Sequence, residues 1–332
     1  MTGFEAFTAF VPELIPLLSS DEVSEVQVNG ASRVFAERNG LVELQPITLD
    51  EKRLRTACEL IAQRIGGTEL SAENPIVDTR LPDGSRAAIV IPPASVDGIT
   101  LTVRKHHIRY YSLESLVETG MLPDSCAGLL REAVEKRQNI VVCGQTGSGK
   151  TTLLNALIRS IPEDERVISV EDTVELDPPH KNRVRFEAQP PAAHNGTPPV
   201  SIQKLVQASL RHTPGRLIIG EFRGAEALDA LIAMNTGHSG TLLSAHANGP
   251  EDVLDRFFLC CTLASKSIPP EFIQQSIARN IHLTVYLEKL NRSRVVASVG
   301  RVLRFNRERE AFECDMIYSR GGIQSTENKR VL

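Results

Sequence analysis

The fold is decided by residues 139–158, which read NIVVCGQTGSGKTTLLNALI. An apolar run comes first, a loop with three glycines follows, and apolar residues at helical spacing begin after Lys150. The loop matches the pattern G-x-x-x-x-G-K-[ST], in which backbone N–H groups wrap closely around a phosphate chain. This stretch therefore predicts a strand, a phosphate-binding loop and a helix, in that order.

Each residue type in the loop has a chemical task. Gly144, Gly147 and Gly149 keep Cβ atoms away from the phosphates, and the start of the next helix adds its positive dipole end. Lys150 is predicted to hold the β- and γ-phosphates, and the Thr151 hydroxyl to ligate Mg²⁺. The predicted nucleotide-binding residues here are Gly144, Gln145, Thr146, Gly147, Ser148, Gly149, Lys150, Thr151 and Thr152. A glycine-rich turn that only reverses the chain is the alternative.

Apolar strands alternate with helices on the C-terminal side of the loop. The runs that predict strands are RVISVED at 166–172, RLIIGE at 216–221 and TLLSAHA at 241–247. Strands that are apolar throughout indicate a parallel sheet covered on both faces. Residues 126–332 are therefore predicted to form a doubly wound α/β domain, with a polar, proline-rich stretch at 177–200 and further strands within 282–318.

The chain before residue 126 follows a different pattern. Its predicted elements are an amphipathic helix at 4–18, a β-hairpin around Asn29-Gly30, a helix at 50–65, and strands at 86–93 and 99–106. Together they predict a small α+β domain with an antiparallel sheet over residues 1–112. A linker is predicted at 113–125.

Length and composition limit the class of protein. The 332 residues suggest about two domains, and 41% apolar with 23% charged residues is ordinary for a globular chain. No apolar run reaches the ~18 residues of a membrane span, and no basic stretch starts a secretory signal, so a cytoplasmic chain is expected. The six cysteines form no C-x-x-C pair, which argues against a zinc site or a disulfide framework. A formal net charge of −4 argues against nucleic-acid binding by bulk charge.

Acidic residues follow two of the predicted strands. A nucleotide hydrolase needs a carboxylate that positions or activates water, and Glu221 is the predicted one, although Gly220 stands where an aspartate is usual. Another strand ends in Glu171-Asp172, with Glu175 close behind. Carboxylates that end neighbouring parallel strands face one crevice, so Glu171 is predicted to assist the metal, directly or through water. A solvated turn or a helix N-cap is the alternative for these acids.

Two histidines bracket the strand at 241–247. His238 precedes it and His246 follows it, within the segment TGHSGTLLSAHAN. Because the strand neighbours those of the nucleotide site, both histidines are predicted to contact the γ-phosphate or the attacking water. A zinc site is the alternative, but no third ligand has suitable spacing.

Four segments carry a family resemblance: GQTGSGKTT, VEDTVE, LIIGEFRGAEA and NTGHSGTLLSAHAN. In this order they resemble the motifs of the secretion traffic ATPases, which power type II and type IV secretion, conjugal transfer and pilus assembly. NGASRVFAERNG and RLPDGSRAAIVIPP resemble the N-terminal domain of that family. The resemblance implies a RecA-like domain with Walker A at Gly144–Thr151, an acidic box at Glu171–Glu175, an atypical Walker B at Gly220-Glu221, and a His box at His238 and His246.

The resemblance also implies ATP and Mg²⁺ as ligands and a homo-hexameric ring. Arginines of the N-terminal domain are implied to reach the phosphates, the candidates being Arg80, Arg86 and Arg104. Arginines near the catalytic strand are further candidates, namely Arg211, Arg216 and Arg223. Supplied by a moving domain, such residues would couple phosphate chemistry to motion.

The expected function is a cytoplasmic ATPase at the inner face of the cytoplasmic membrane, partnered by inner-membrane secretion or pilus-assembly proteins and by no specific nucleic acid. The missing tetracysteine insertion makes the chain resemble the compact conjugal-transfer and type IV secretion branch, or the tight-adherence pilus branch. A pilus-retraction or DNA-translocating motor is an alternative, although residues 1–125 hold 18 acidic and 11 basic residues. A nucleotide-gated regulator with little turnover and a small-molecule kinase are the others.

Overall fold

The computed structural model describes residues 3–38, 40–105, 111–189, 199–290 and 293–320, with side chains from Phe7 onward. The chain divides into two compact units, one formed by the described residues up to 105 and the other by those from 111. Residues 113–125, predicted as a linker, belong to the second unit, where Leu113, Leu116 and Leu122 are buried in its core.

The first unit contains an antiparallel sheet covered by helices. Its helices are α1 (Gly3–Phe10), α2 (Ile15–Ser19) and α3 (Glu51–Arg64), with a 3₁₀ turn at Pro12–Leu14. Its strands are β1 (Val23–Asn29), β2 (Val34–Arg38), β3 (Leu41–Gln45), β4 (Ile76–Arg80), β5 (Arg86–Val90) and β6 (Thr100–Arg104). The strand order is β3-β2-β1-β6-β5-β4. This confirms the predicted α+β fold, including the β1–β2 hairpin.

The edge strands β3 and β4 were not predicted. Leu41, Val42 and Leu44 of β3 are all exposed, and Ile76 of β4 is 62% exposed, so neither strand has the strict in–out alternation of a half-buried strand. Helix α3 does follow its predicted signal, since the Asp50 carboxylate accepts a hydrogen bond from the Arg53 N–H at 2.9 Å.

The second unit is an α/β domain. Its helices are α4 (Leu113–Glu118), α5 (Asp124–Glu135), α6 (Lys150–Ile158), α7 (Ile202–Ser209), α8 (Glu226–Asn235), α9 (Asp252–Ala264) and α10 (Pro270–Asn280). Its strands are β7 (Ile140–Gly144), β8 (Val167–Glu171), β9 (Arg183–Glu187), β10 (Arg216–Ile219), β11 (Leu242–Ala245), β12 (Leu283–Leu290), β13 (Ser293–Asn306) and β14 (Ala311–Ser319). The order is β14-β13-β12-β7-β11-β10-β8-β9.

Six neighbouring strands, β12 to β9 in this order, run parallel, and β13 and β14 extend the sheet antiparallel. Alternate residues of β7 enter separate cores: Ile140 and Val142 pack with α5 and α6, while Val141 and Cys143 pack with α8, α9 and α10. Burial on both faces explains the unbroken apolar runs and confirms the predicted fold class.

Strand β9 lies within the polar, proline-rich stretch 177–200, where no strand was predicted. Arg183–Glu187 pairs in parallel with β8. Because β9 is the sheet edge and carries charged residues, its sequence lacks the apolar run of the inner strands. No helix within the described ranges is long and apolar enough to cross a membrane.

Candidate functional site

The loop between β7 and α6 has the shape of a phosphate cradle. Gly144, Gly147 and Gly149 all have positive φ angles (154°, 73° and 98°), as close wrapping of the backbone requires. A Cβ on Gly144 would lie 2.5 Å from the Leu287 carbonyl oxygen, so no other residue fits there. Thr151 and Thr152 lie in the first turn of α6, where free N–H groups favour an anion.

Lys150 lies over this loop and contacts its backbone. Its ammonium donates to the carbonyl oxygens of Gly144 and Gln145, each at 3.1 Å. A third contact, of 3.2 Å, joins Nζ to Nδ1 of His246. Burial lowers the pKa of Lys150, and the Glu221 carboxylate opposes that shift. The cation is therefore held at the loop by groups that phosphate oxygens can replace.

Glu221 lies at the carboxyl edge of the sheet, just beyond β10. Its Oε1 accepts a hydrogen bond from Nε of Arg223 at 2.8 Å and lies 3.3 Å from Nε2 of His246. Nη1 of Arg223 lies 4.0 Å from Asp172, which follows β8. The predicted residues Lys150, His246, Glu221 and Arg223 thus form one chain of contacts.

His246 is the middle member of that chain. Burial, together with the nearby Lys150 charge, lowers its pKa, so the imidazole is neutral near pH 7. A neutral ring can accept a hydrogen bond at Nδ1 from Lys150 and donate one at Nε2 to Glu221. This tautomer connects the group that holds the phosphates to the carboxylate predicted to act on water.

Glu171 ends β8 and is buried beside Gly220. Its Oε2 accepts the N–H groups of Glu175 at 2.8 Å and Leu176 at 2.9 Å, whereas Oε1 is buried with no hydrogen-bond partner among the described residues. Burial raises the pKa of this carboxyl to about 8. A Cβ on Gly220 would lie 2.9 Å from Cγ of Glu171. The Glu171 side chain thus occupies the space that a residue larger than glycine would need.

His238 is not brought to the phosphate loop of its own chain. In the register of β11 with β7, Leu242 faces Ile140 and Ala245 faces Cys143, so His238 precedes the strand at the opposite edge of the sheet. Four strand residues span roughly 13 Å. Its Nδ1 lies 3.3 Å from the Ala233 carbonyl oxygen.

Arg216 corrects a prediction. It was a candidate for phosphate contact because it precedes Glu221 by five positions, but as the first residue of β10 it lies at the amino edge. Its buried guanidinium binds the Glu165 carboxylate at 2.9 and 3.0 Å, and Arg137 binds the same carboxylate at 2.8 Å. Arg211 lies in the exposed turn just before β10, also away from the loop.

The candidate arginines of the first unit share one row of its sheet. Arg80 faces Arg86 across β4 and β5, and Arg86 faces Arg104 across β5 and β6. Asp78 binds Arg86 through Nε at 2.8 Å and Nη2 at 2.5 Å. Cations placed directly opposite each other destabilise a strand pair, so this row is favourable for an anionic ligand. Phosphate contact by these residues stays a prediction.

Sequence reasoning missed two features beside the loop. One is Arg294, 145 positions beyond Gly149 in the chain yet adjacent to it in space. The other is a groove of about 560 Å³ next to His246, whose lining includes Gln145, Thr146, His246, Asn248, Asp252, Asp255 and Arg256. Of the residues that line this groove, only those of the loop and His246 had a role predicted from the sequence. The groove residues on α9 were missed because nothing in their local sequence indicates phosphate binding. No cluster of three or more potential metal ligands occurs within the described ranges.

The chain is similar to known proteins along nearly its whole length. The family described as type II/IV secretion system protein matches residues 11–327. A Mycobacterium tuberculosis protein named for conjugal transfer is 36% identical over 247 residues, covering 72% of this chain and 70% of the relative. The type IV secretion system protein VirB11 of Brucella suis is 32% identical over 301 residues, covering 82% and 83%.

The solved structures include a protein of the same fold. The Legionella pneumophila ATPase DotB aligns with a TM-score of 0.62 at 20% identity, over 93% of this chain and 82% of that one. The architecture deduced from the residues is therefore one that a characterised ATPase adopts.

Proposed function

We infer a function from the fact that this chain belongs to the type II/IV secretion system protein family, in its conjugal-transfer and type IV secretion branch. The chain is a magnesium-dependent ATP hydrolase. It works as a homo-hexamer at the inner face of the cytoplasmic membrane and powers secretion, conjugal transfer or pilus assembly with inner-membrane partners.

The observation that carries this proposal is the contact chain from Lys150 through His246 to Glu221. Lys150 and the loop N–H groups bind the β- and γ-phosphates. Glu221 orients a water molecule and accepts its proton, while Arg223 holds the Glu221 carboxylate in place through the 2.8 Å hydrogen bond. Neutral His246 fixes Glu221 relative to Lys150, so that the water lies next to the terminal phosphate.

The residues present fit a magnesium ion. Glu171 has a buried oxygen with no partner among the described residues, and the Thr151 hydroxyl lies in the first turn of α6. Carboxylate and hydroxyl oxygens, completed by water and phosphate, are the ligands that Mg²⁺ prefers. Bound there, the ion would neutralise charge on the phosphates. Thr151 would hold it directly, and Glu171 directly or through water.

The arginine row of the first unit completes the proposal. Arg80, Arg86 and Arg104 present cations on three adjacent strands, which suits them to bind phosphates. His238 is proposed to respond to hydrolysis from the amino edge of the sheet, where it lies beside the end of α8.

The experiment is phosphate release per chain measured against protein concentration, with Glu221→Gln as the paired variant. We expect a rate that rises with concentration, as assembly requires, and a loss of about 10²- to 10⁴-fold in the variant, because general base catalysis contributes on that order. The variant should still bind nucleotide. A slow rate that is independent of concentration and unaffected by Glu221→Gln would contradict the motor and favour a nucleotide-gated regulator.

A further inference from the structure

The hairpin formed by β12 and β13 extends past the carboxyl edge of the sheet. β7 ends at Gly144, which pairs with Leu287 of β12. β12 continues for three more residues, Glu288–Leu290, which is about 10 Å of strand, and β13 returns from Ser293. The end of the hairpin is therefore placed beside the phosphate loop, and not over the sheet.

One side chain of this hairpin reaches the loop. A Cβ on Gly149 would lie 3.4 Å from Cδ of Arg294 and 3.8 Å from its Cβ, so the stem of Arg294 packs against the last loop residue. Gly149 is the N-cap of α6, at the end where the helix N–H groups are free. Because Cδ carries the guanidinium, that group lies within reach of an anion-binding helix terminus.

The charges of the hairpin end are not balanced within the described part of the chain. Arg294 lies directly opposite Lys289 in the antiparallel register, and both side chains are exposed. Like charges in that position destabilise a strand pair. No ion pair to either residue is formed among the described residues. An anionic ligand at the loop would remove this repulsion.

The sheet order separates Arg294 from the groups that act on the terminal phosphate. β12 is the neighbour of β7 on one side, and β11 and β10, which lead into His246 and Glu221, lie on the other. A nucleotide whose γ-phosphate faces Glu221 therefore directs its α-phosphate toward the hairpin. Resting on the proposed function, we propose that Arg294 binds the α-phosphate end of nucleoside di- and triphosphates and sets their affinity.

The test replaces the guanidinium but keeps the stem that packs on Gly149, using Arg294→Met. Arg301→Met is the matched control, since Arg301 is an exposed residue of the same strand, away from the loop. Dissociation constants for ADP and for a non-hydrolysable ATP analogue, together with kcat and KM for ATP, are measured at low and high salt. We expect about tenfold weaker binding of both nucleotides in Arg294→Met, the size of a charge-assisted hydrogen bond. The value of kcat should change less than threefold, and Arg301→Met should match wild type.

The outcomes separate this inference from the function itself. Weaker binding of the ATP analogue with unchanged ADP binding would assign Arg294 to the γ-phosphate and overturn the proposal, as would wild-type affinity for both. A wild-type chain that binds neither nucleotide would overturn the proposed function instead. Arg294→Lys, which retains the charge, is measured in parallel. It should bind both nucleotides more tightly than Arg294→Met, and equal weakening in the two variants would contradict an ionic contact. Thermal unfolding curves identify a variant whose binding is lost through misfolding.

Discussion

The eight-stranded sheet has an amino edge, where its parallel strands begin, and a carboxyl edge, where they end. Each of these edges holds a glutamate bound to an arginine, but the two clusters differ in their chemistry. At the carboxyl edge, Glu221 contacts His246 and the exposed Arg223. At the amino edge, Glu165 contacts the buried Arg216 and the more exposed Arg137. Position in the sheet, and not residue type, separates a reactive cluster from a stabilising one, because the strand-to-helix loops and the helix N-termini that follow parallel strands lie at the carboxyl edge.

The pKa shifts of the ionisable groups in the two clusters support this distinction. At the carboxyl edge, burial lowers the pKa of both Lys150 and His246, so their charged forms are disfavoured before a ligand arrives. At the amino edge, burial opposes ionisation of Glu165, but the hydrogen bonds and charges of Arg216 and Arg137 lower its pKa overall. In the first cluster the Glu221 carboxylate does not offset the effect of burial on Lys150 and His246, whereas in the second cluster the two arginines more than offset the effect of burial on Glu165.

The largest expected effect that tests this comparison is on stability. Arg216→Met leaves Glu165 with only its more exposed partner, and breaking a buried ion pair costs about 3 kcal/mol or more. Urea unfolding should show this loss, while ATP hydrolysis by the folded fraction stays near wild type. Arg137→Met, which removes the exposed partner, should cost about 1 kcal/mol or less. Equal costs for the two variants would show that burial does not distinguish these arginines.

An intermediate effect is expected from the two histidines. His246→Ala removes the connection between Lys150 and Glu221, and we expect turnover to fall roughly 10- to 100-fold, as for the loss of hydrogen bonds to charged groups. His238→Ala should reduce turnover less than threefold, because His238 lies at the amino edge. Steady-state kinetics at saturating ATP measure both. A similar loss in the two variants would favour the prediction that both histidines contact the terminal phosphate.

A third expected effect concerns pH. Burial raises the pKa of Glu171 to about 8, so its carboxyl holds a proton more strongly in the folded chain than in the unfolded one. The stability of the protonated form is complete below the unfolded pKa, near 4.5, and is lost as the pH rises through about 8. Melting temperatures of wild type should therefore fall by a few degrees relative to Glu171→Gln between acidic and mildly alkaline pH.

The Glu171 comparison has a built-in control. Added Mg²⁺ and ADP should reduce the difference between wild type and Glu171→Gln at alkaline pH, because a nearby cation favours the ionised carboxyl. A difference that does not depend on pH would mean that Glu171 is ionised throughout and that its buried oxygen has another partner.

The inner strands and the phosphate loop could be predicted because their signals are local. Unbroken apolar runs predict strands that are buried on two faces. The pattern G-x-x-x-x-G-K-[ST] predicts a loop whose backbone wraps around phosphates. Edge strands such as β3 and β9 could not be predicted, since an exposed or charged strand has no apolar run. Fold and family followed from these local signals alone.

The site was only partly predictable, because an edge of a sheet is a property of the folded chain. Arg216 and Glu221 are close in sequence, yet β10 carries them to opposite edges. Arg294 and Gly149 are distant in sequence, yet the pairing of β12 with β7 brings them together. Spacing along the chain predicted that Lys150, His246 and Glu221 lie together, as they do in the structure. It also predicted phosphate contacts for His238 and Arg216, which lie at the amino edge of the sheet.

The contacts of Lys150 have a consequence for proton linkage. Its three donors are directed at two carbonyl oxygens and at Nδ1 of His246. A polyphosphate that draws the ammonium away removes a cation from the imidazole and supplies an anion, and both changes make His246 more basic. Nucleotide binding should then take up protons near neutral pH, so its calorimetric enthalpy would vary with the ionisation heat of the buffer. Occupancy of the phosphate loop would be tied to the acidity of the surrounding solution.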